Sequence, residues 1–160
     1  MKINNEIFRA YDIRGVYPKD INDNVAYFIG RAFVKFLKKK EPKVVVGRDN
    51  RLSSPILFKS LTKGIIDEGG YVVDIGLATT PMLYWACAHY KYDGGVNVTA
   101  SHNPPQYNGF KFVRERAIPV SGESGIEEIK KMVLVGNLSL IHISEPTRPL
   151  YISYAVFCLK

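Results

Sequence analysis

The 160-residue chain is 46% apolar and carries 22 Lys and Arg against 15 Asp and Glu, a formal net charge of +7. That apolar content can fill the core of a single domain, and two cysteines, Cys87 and Cys158, make no disulfide framework. The positive excess lacks a nucleic-acid motif or aromatic residues interleaved along a basic stripe, so it favours solubility and phosphorylated ligands over nucleic acid.

The first residues, Met1 to Glu6, hold no apolar run of the signal-peptide kind, and no apolar stretch reaches the roughly 20 residues of a membrane span. A cytoplasmic protein without membrane contact is expected. Ile7 to Ile13 alternates as a strand does, and Arg14-Gly15 should end it. An arginine offers a planar fork of donors suited to phosphate oxygens, although Arg9 or Arg14 could instead pair with Asp12 on the surface.

Asn22 to Lys40 is the clearest helix, with Val25, Phe28, Ile29, Ala32, Phe33, Phe36 and Leu37 on one broad face. Asn22 or Asp23 can cap its start, and Pro42 lies just beyond its end. The β-branched run from Lys43 to Gly47 predicts a strand covered on both faces. Arg48-Asp49-Asn50-Arg51 then stands at that strand's C-terminal end, where open α/β sheets place ligand-binding residues. A second helix should open at Ser53-Ser54-Pro55 and stop at Gly69-Gly70. Tyr71 to Ile75 reads as the next strand, broken by Gly76, and Thr80-Pro81 opens a third helix through about Tyr90. Cys87 and His89, two apart on that helix, are packing residues, and the histidines and cysteines nowhere show zinc-ligand spacing.

The most informative stretch runs from Gly94 to Lys111. Val96 to Val98 is a short buried strand, and Thr99-Ala100-Ser101-His102-Asn103-Pro104-Pro105 cannot continue it, because each proline fixes φ and lacks an N–H donor. A hydroxyl, an imidazole and an amide are thus held in a stiff turn at a strand's mouth. Asn108-Gly109 should turn the chain again, and Phe110 to Val113 should leave as an antiparallel edge strand carrying Lys111. Ser101 and His102 are too close in an extended segment to face each other, so the pair alone is weak evidence for a hydrolase dyad. Strand and helix alternate, which gives an α/β fold: a three-layer αβα domain with a mixed, mostly parallel sheet. Ser121 to Val133 should begin a capped amphipathic helix.

Three motifs occur in the order seen in one family: Phe8-Arg9-Ala10-Tyr11-Asp12-Ile13-Arg14-Gly15, Val46-Gly47-Arg48-Asp49-Asn50-Arg51, and Thr99-Ala100-Ser101-His102-Asn103-Pro104 with Asn108-Gly109-Phe110-Lys111. Together they resemble the α-D-phosphohexomutases, the phosphomannomutase/phosphoglucomutase superfamily, over about residues 6–133. The likeness is to the first of that family's four domains, so residues 1–133 are read as the catalytic-serine domain. Residues 134–160 are read as a tail outside the family, artefactual or disordered, since Ser139 to Pro149 looks like translated read-through of a sequencing adapter. Within it, Tyr151 to Leu159 is an uncharged β-prone segment and an aggregation hazard.

The resemblance implies a reaction: a phosphoserine gives its phosphate to a hexose phosphate, and the bisphosphate turns over and returns the other phosphate. Ser101 would be the carrier, and its phosphate oxygen one ligand of a magnesium ion. Lys111 would act as acid or base at the sugar hydroxyl, Arg14 would stabilise the transferring phosphate, and His102 would hydrogen-bond nearby. Tyr11, Arg14 and Lys111 would contact substrate, with Tyr11 and Arg14 on the wall opposite the serine. A hexose 1,6-bisphosphate would be the activator and a mannose or glucose phosphate the substrate. Lysine as a base needs a depressed pKa, which burial and neighbouring cations can produce. The other metal ligands and the sugar- and phosphate-binding loops belong to domains II–IV, absent here, so the chain alone is expected to be inactive. Alternatives are a phosphoglucosamine mutase fragment, although Phe110 between Gly109 and Lys111 fits the hexose-phosphate branch better, and a non-enzymatic phosphoserine-bearing domain.

Overall fold

The computed structural model describes residues 3–134 and the backbone of Ile152–Tyr154. Strands β1 (Ile13–Val16), β2 (Lys43–Arg48), β3 (Tyr71–Leu77), β4 (Gly94–Val98), β5 (Tyr107–Arg114) and β6 (Ile152–Tyr154) form one sheet in the order β1-β5-β4-β2-β3-β6. Helices α1 (Asp23–Leu37), α2 (Ser54–Asp67), α3 (Thr80–His89) and α4 (Glu127–Leu134) flank it. Neighbours β4, β2, β3 and β6 pair in parallel, while β5 pairs antiparallel with both β4 and β1. The sheet is therefore mixed and mostly parallel, as expected.

Alternation along β2 sorts the layers. Val44 and Val46 pack with Ile29, Phe33, Leu57, Leu61 and Ile129 of α1, α2 and α4. Val45, one residue out of phase, packs on the other face with Leu83, Ala86 and Cys87 of α3. Helices α1 and α2 touch most closely where glycines replace side chains. A Cβ on Gly30 would stand 2.2 Å from the Leu61 carbonyl oxygen, and one on Gly64 would stand 2.1 Å from that of Tyr27. Asn22 caps α1 by accepting from the Val25 amide at 3.0 Å.

Four local expectations are corrected. Ile7 to Ile13 is not one strand: a 3-10 turn at Asn5–Ile7 is followed by a tight reversal in which the Arg9 amide donates to the Asp12 carbonyl and Phe8 bridges Ile13. Strand β1 starts at Ile13, so Arg14-Gly15 lies inside it. Gly76 lies within β3, at φ +70°, and does not end it. Asn108-Gly109 makes no turn: both belong to β5, which is an interior strand and leaves β1 at the edge. The cause at Gly109 is crowding, since a Cβ there would meet the Ile13 carbonyl oxygen at 2.1 Å. Of the tail after residue 134, only the Ile152–Tyr154 backbone is described, paired in parallel with Val72 to Asp74 of β3. The adapter-like stretch Ser139 to Pro149 and most of the aggregation-prone run lie outside the described residues.

Candidate active site

Strands β2 and β4 run parallel, so the segments after Arg48 and after Val98 emerge side by side, the Asp49 amide donating to the Val98 carbonyl at 2.9 Å. A cleft of about 1170 Å³ opens there, lined by residues of both segments together with Thr79, Thr80 and Lys111. Ser101, His102 and Asn103 stand on one wall of this cleft. Lys111 reaches it from β5, where it pairs in register with Asn97 of β4. Ser101 and Lys111, ten positions apart in the chain, thus face one space.

Ser101 adopts φ +56°, a left-handed conformation that a residue with a side chain reaches at a cost of about 1–2 kcal/mol. The segment is therefore not extended, and neighbouring side chains can meet: Ser101 Oγ lies 3.3 Å from His102 Nδ1. Thr99 supports the bend by accepting from the Ser101 amide through its Oγ1 at 2.9 Å, and the Asn103 amide donates to the Ala100 carbonyl at 3.1 Å. Ser101 and His102 themselves are solvent-exposed.

Arg14 is 8% exposed and does two things at once. One terminal nitrogen pairs with the Asp12 carboxylate, while Nη1 donates to Asn103 Oδ1 at 2.6 Å. The pairing with Asp12 considered from the sequence is present, yet it is buried and not a surface pair. Arg14 therefore meets the loop that carries Ser101, through Asn103. Neither Arg14 nor Tyr11 is among the residues that line the cleft, and Tyr11 is 75% exposed where Arg14 is buried.

The Arg48-Asp49-Asn50-Arg51 segment divides its work. Arg48 lines the cleft, pairs with Asp74 at 3.2 Å and lies over the Phe58 ring at 4.6 Å. Arg51 lines the cleft too, but its donors turn to Asp49 and to backbone carbonyls. Its Nε donates to Asp49 Oδ2 at 3.1 Å, Nη1 to the carbonyls of Pro104 and Tyr107, and Nη2 to those of Ser101 and Asn103. Asp49 also accepts from Ser54 Oγ at 2.6 Å, and buried Asn108 donates to Ser53 Oγ and Ser54 Oγ at 2.7 and 3.0 Å. Ser53 consequently makes no side-chain cap to α2. The Arg51 contacts and the Asn108 contacts were not foreseen from the sequence. By sequence, Arg51 stands where ligand-binding residues gather, and Asn108-Gly109 reads as a turn.

Among the described residues no three His, Cys, Asp or Glu side chains gather closely enough to hold a metal ion. The domain's own groups thus do not fit a complete magnesium site. Cys87 is fully buried, as expected for packing, whereas His89 is exposed and stacks on the exposed Trp85 ring at 4.5 Å. No helix among the described residues is long and apolar enough to cross a membrane.

Comparison with known proteins identifies the family to which this fold belongs. Residues 5–136 match the model of the phosphoglucomutase/phosphomannomutase α/β/α domain I. Phosphomannomutases of Klebsiella pneumoniae and Escherichia coli are each 50% identical over 125 residues, which is 78% of this chain. The chain's match covers 78% of the former protein but 27% of the latter. A phosphoglucomutase of Neisseria gonorrhoeae is 47% identical over 112 residues, 24% of its length. The crystal structure of a phosphoglucomutase/phosphomannomutase family protein from Burkholderia thailandensis superposes with a TM-score of 0.78 at 39% identity, over 85% of this chain and 31% of that one. The chain belongs to the phosphoglucomutase/phosphomannomutase family, and its residues 5–136 are that family's α/β/α domain I.

Proposed function

We propose that this chain is the phosphoryl-carrying domain of a hexose-phosphate mutase, acting on mannose or glucose phosphate. Ser101 Oγ attacks a phosphorus of a hexose 1,6-bisphosphate, the bond from that phosphorus to the sugar oxygen breaks, and the serine is left phosphorylated. The reverse step delivers the phosphoryl group to the other hydroxyl of a hexose monophosphate. Lys111 gives a proton to the departing sugar oxygen while the Ser101 hydroxyl proton leaves to solvent, and both transfers reverse when the phosphoryl group returns to a sugar hydroxyl. Arg14 faces the charge that spreads over the equatorial phosphate oxygens, and His102 hydrogen-bonds at the serine. Phosphoryl transfer depends mostly on such positioning and charge compensation.

One observation carries this reading: Ser101, His102 and Lys111 line a single cleft, and buried Arg14 is hydrogen-bonded to Asn103 of the same loop. The names of the relatives, phosphomannomutase and phosphoglucomutase, supply the substrate class. Of a magnesium site this chain would supply one ligand, an oxygen of the Ser101 phosphate, and the ion would add positive charge to the group being transferred. No step here is routed through it. Turnover requires the bisphosphate to reorient inside a closed cleft, for which this domain offers only one wall, so the isolated chain should accept phosphate without cycling.

The test is incubation of the purified chain with glucose 1,6-bisphosphate and magnesium, followed by phosphopeptide mapping. The proposal expects one phosphoryl group on Ser101 and none on the Ser101→Ala chain. An unmodified Ser101, or equal labelling of both proteins, would contradict it.

A further inference from the structure

We propose that Arg51 is a positioning residue that fixes the Ser101 loop through its backbone, without touching substrate. The role in catalysis rests on Ser101 being the phosphate carrier. The geometry itself does not.

A guanidinium has five N–H donors in a rigid plane. All five are engaged: Nε on Asp49, Nη1 on Pro104 and Tyr107, and Nη2 on Ser101 and Asn103. Three of the four carbonyls belong to the Ser101 loop and the fourth to Tyr107, where β5 begins, and they converge on one side chain that is 12% exposed. A residue so engaged keeps no donor for a phosphate, unlike the ligand-binding role that its place after β2 suggests. The anchor is held in turn, because Asp49 Oδ1 accepts from the Arg51 amide and from Ser54 Oγ, tying the loop to the start of α2.

The clamp also accounts for the left-handed Ser101. That conformation persists only where the surroundings over-determine it. Here the residue's carbonyl is drawn to Arg51 at 3.1 Å while its amide is held by Thr99 Oγ1 at 2.9 Å. Lysine keeps the charge but is a point donor that cannot span four carbonyls. Glutamine keeps planarity but has two N–H donors and no charge. If the fork geometry matters, neither substitution rescues. If only positive charge near the phosphate matters, lysine does.

The experiment compares the unaltered chain with Arg51→Lys and Arg51→Gln by amide hydrogen exchange and by the rate of Ser101 phosphorylation from glucose 1,6-bisphosphate. Exchange at Asn103 and Tyr107, whose amides close the turns onto Ala100 and Pro104, should quicken about tenfold or more in both variants. Amides of β2 and β4 should keep their rates, and phosphorylation should fall about tenfold or more in both. Unchanged loop exchange overturns the proposal, and so does a phosphorylation rate that Arg51→Lys preserves. Quickened exchange with no phosphate on Ser101 even in the unaltered chain keeps the clamp and removes the phosphate reading. Should both variants fail to fold, the unaltered chain still decides: the Arg51 Nη protons should give separate, slowly rotating nitrogen-15-correlated signals. A single averaged signal would overturn the clamp.

Discussion

Substituting Gly109 by alanine isolates the contact that lets β1 approach β5. The added Cβ would lie 2.1 Å from the Ile13 carbonyl oxygen and 3.1 Å from Arg14 Cα, both backbone atoms that cannot swing aside. Overpacking of this kind costs about 1–3 kcal/mol. The 2.1 Å clash with backbone selects the upper part of that range, about 2–3 kcal/mol, and restricting the unfolded chain returns about 0.4–1 kcal/mol, so the net loss should be about 1–2.6 kcal/mol. Urea unfolding followed by circular dichroism measures it: with a slope of about 2 kcal/mol per molar, the midpoint should fall by roughly 0.5–1.3 M at unchanged slope. Because β1 carries Arg14, the same displacement should disturb its bond to Asn103 and slow phosphate uptake. Gly122→Ala is the control, since its Cβ would meet nothing nearer than the Ala10 carbonyl oxygen at 3.6 Å, and its midpoint should hold or rise. A Gly109→Ala chain as stable as the unaltered one would refute the claim that close approach, and not a turn, places glycine there.

Asn108→Ala should cost about 1–3 kcal/mol in the same assay, because it strips the buried Ser53 and Ser54 hydroxyls of their shared donor. Burial pushes the Cys87 thiol above its ordinary value, so alkylation of the native chain at neutral pH should be far slower at Cys87 than after unfolding, as read by mass spectrometry. Burial alone would raise the Asp93 carboxyl, but the Lys39 ammonium and the Lys43 amide outweigh it and hold it below the usual carboxylate value. Its stabilisation is therefore present above about pH 4 and lost as pH falls through the lowered value. Lys39, raised by its bond to Asp93, keeps its share until pH climbs past the usual lysine range. Asp93→Asn should lose under about 1 kcal/mol at pH 7 and converge with the unaltered chain in strong acid.

What could be read from the sequence was what short-range chemistry decides. The α1 stripe and the Asn22 cap need only neighbours three and four residues away, and the β-branched β2 run declares burial on both faces. The prolines after Ser101 showed where β4 must stop. What could not be read depends on partners far along the chain. Gly109 is glycine because of Ile13, 96 positions earlier, and Asn108 is asparagine because of two serines more than 50 positions away. Asn-Gly is also the strongest short-range hairpin signal, so a local reading was bound to choose the turn. In the same way Arg51 follows a strand at the place where ligand residues gather, and only the folded chain reveals that backbone carbonyls take its four terminal donors and Asp49 the fifth. Ser101 and His102 looked incompatible only while the segment was taken as extended.

The central claim is that Ser101, Lys111 and Arg14 act together on one phosphoryl group. The most direct measurement is the initial rate at which Ser101 gains phosphate from glucose 1,6-bisphosphate in the unaltered chain, in Lys111→Ala and in Arg14→Ala. Lys63→Ala, exposed on the outer face of α2 and paired with Asp67, serves as the control for a lost positive charge. The account predicts a fall of about a hundredfold for Lys111→Ala and for Arg14→Ala and no change for the control. Equal rates in all four proteins would contradict it.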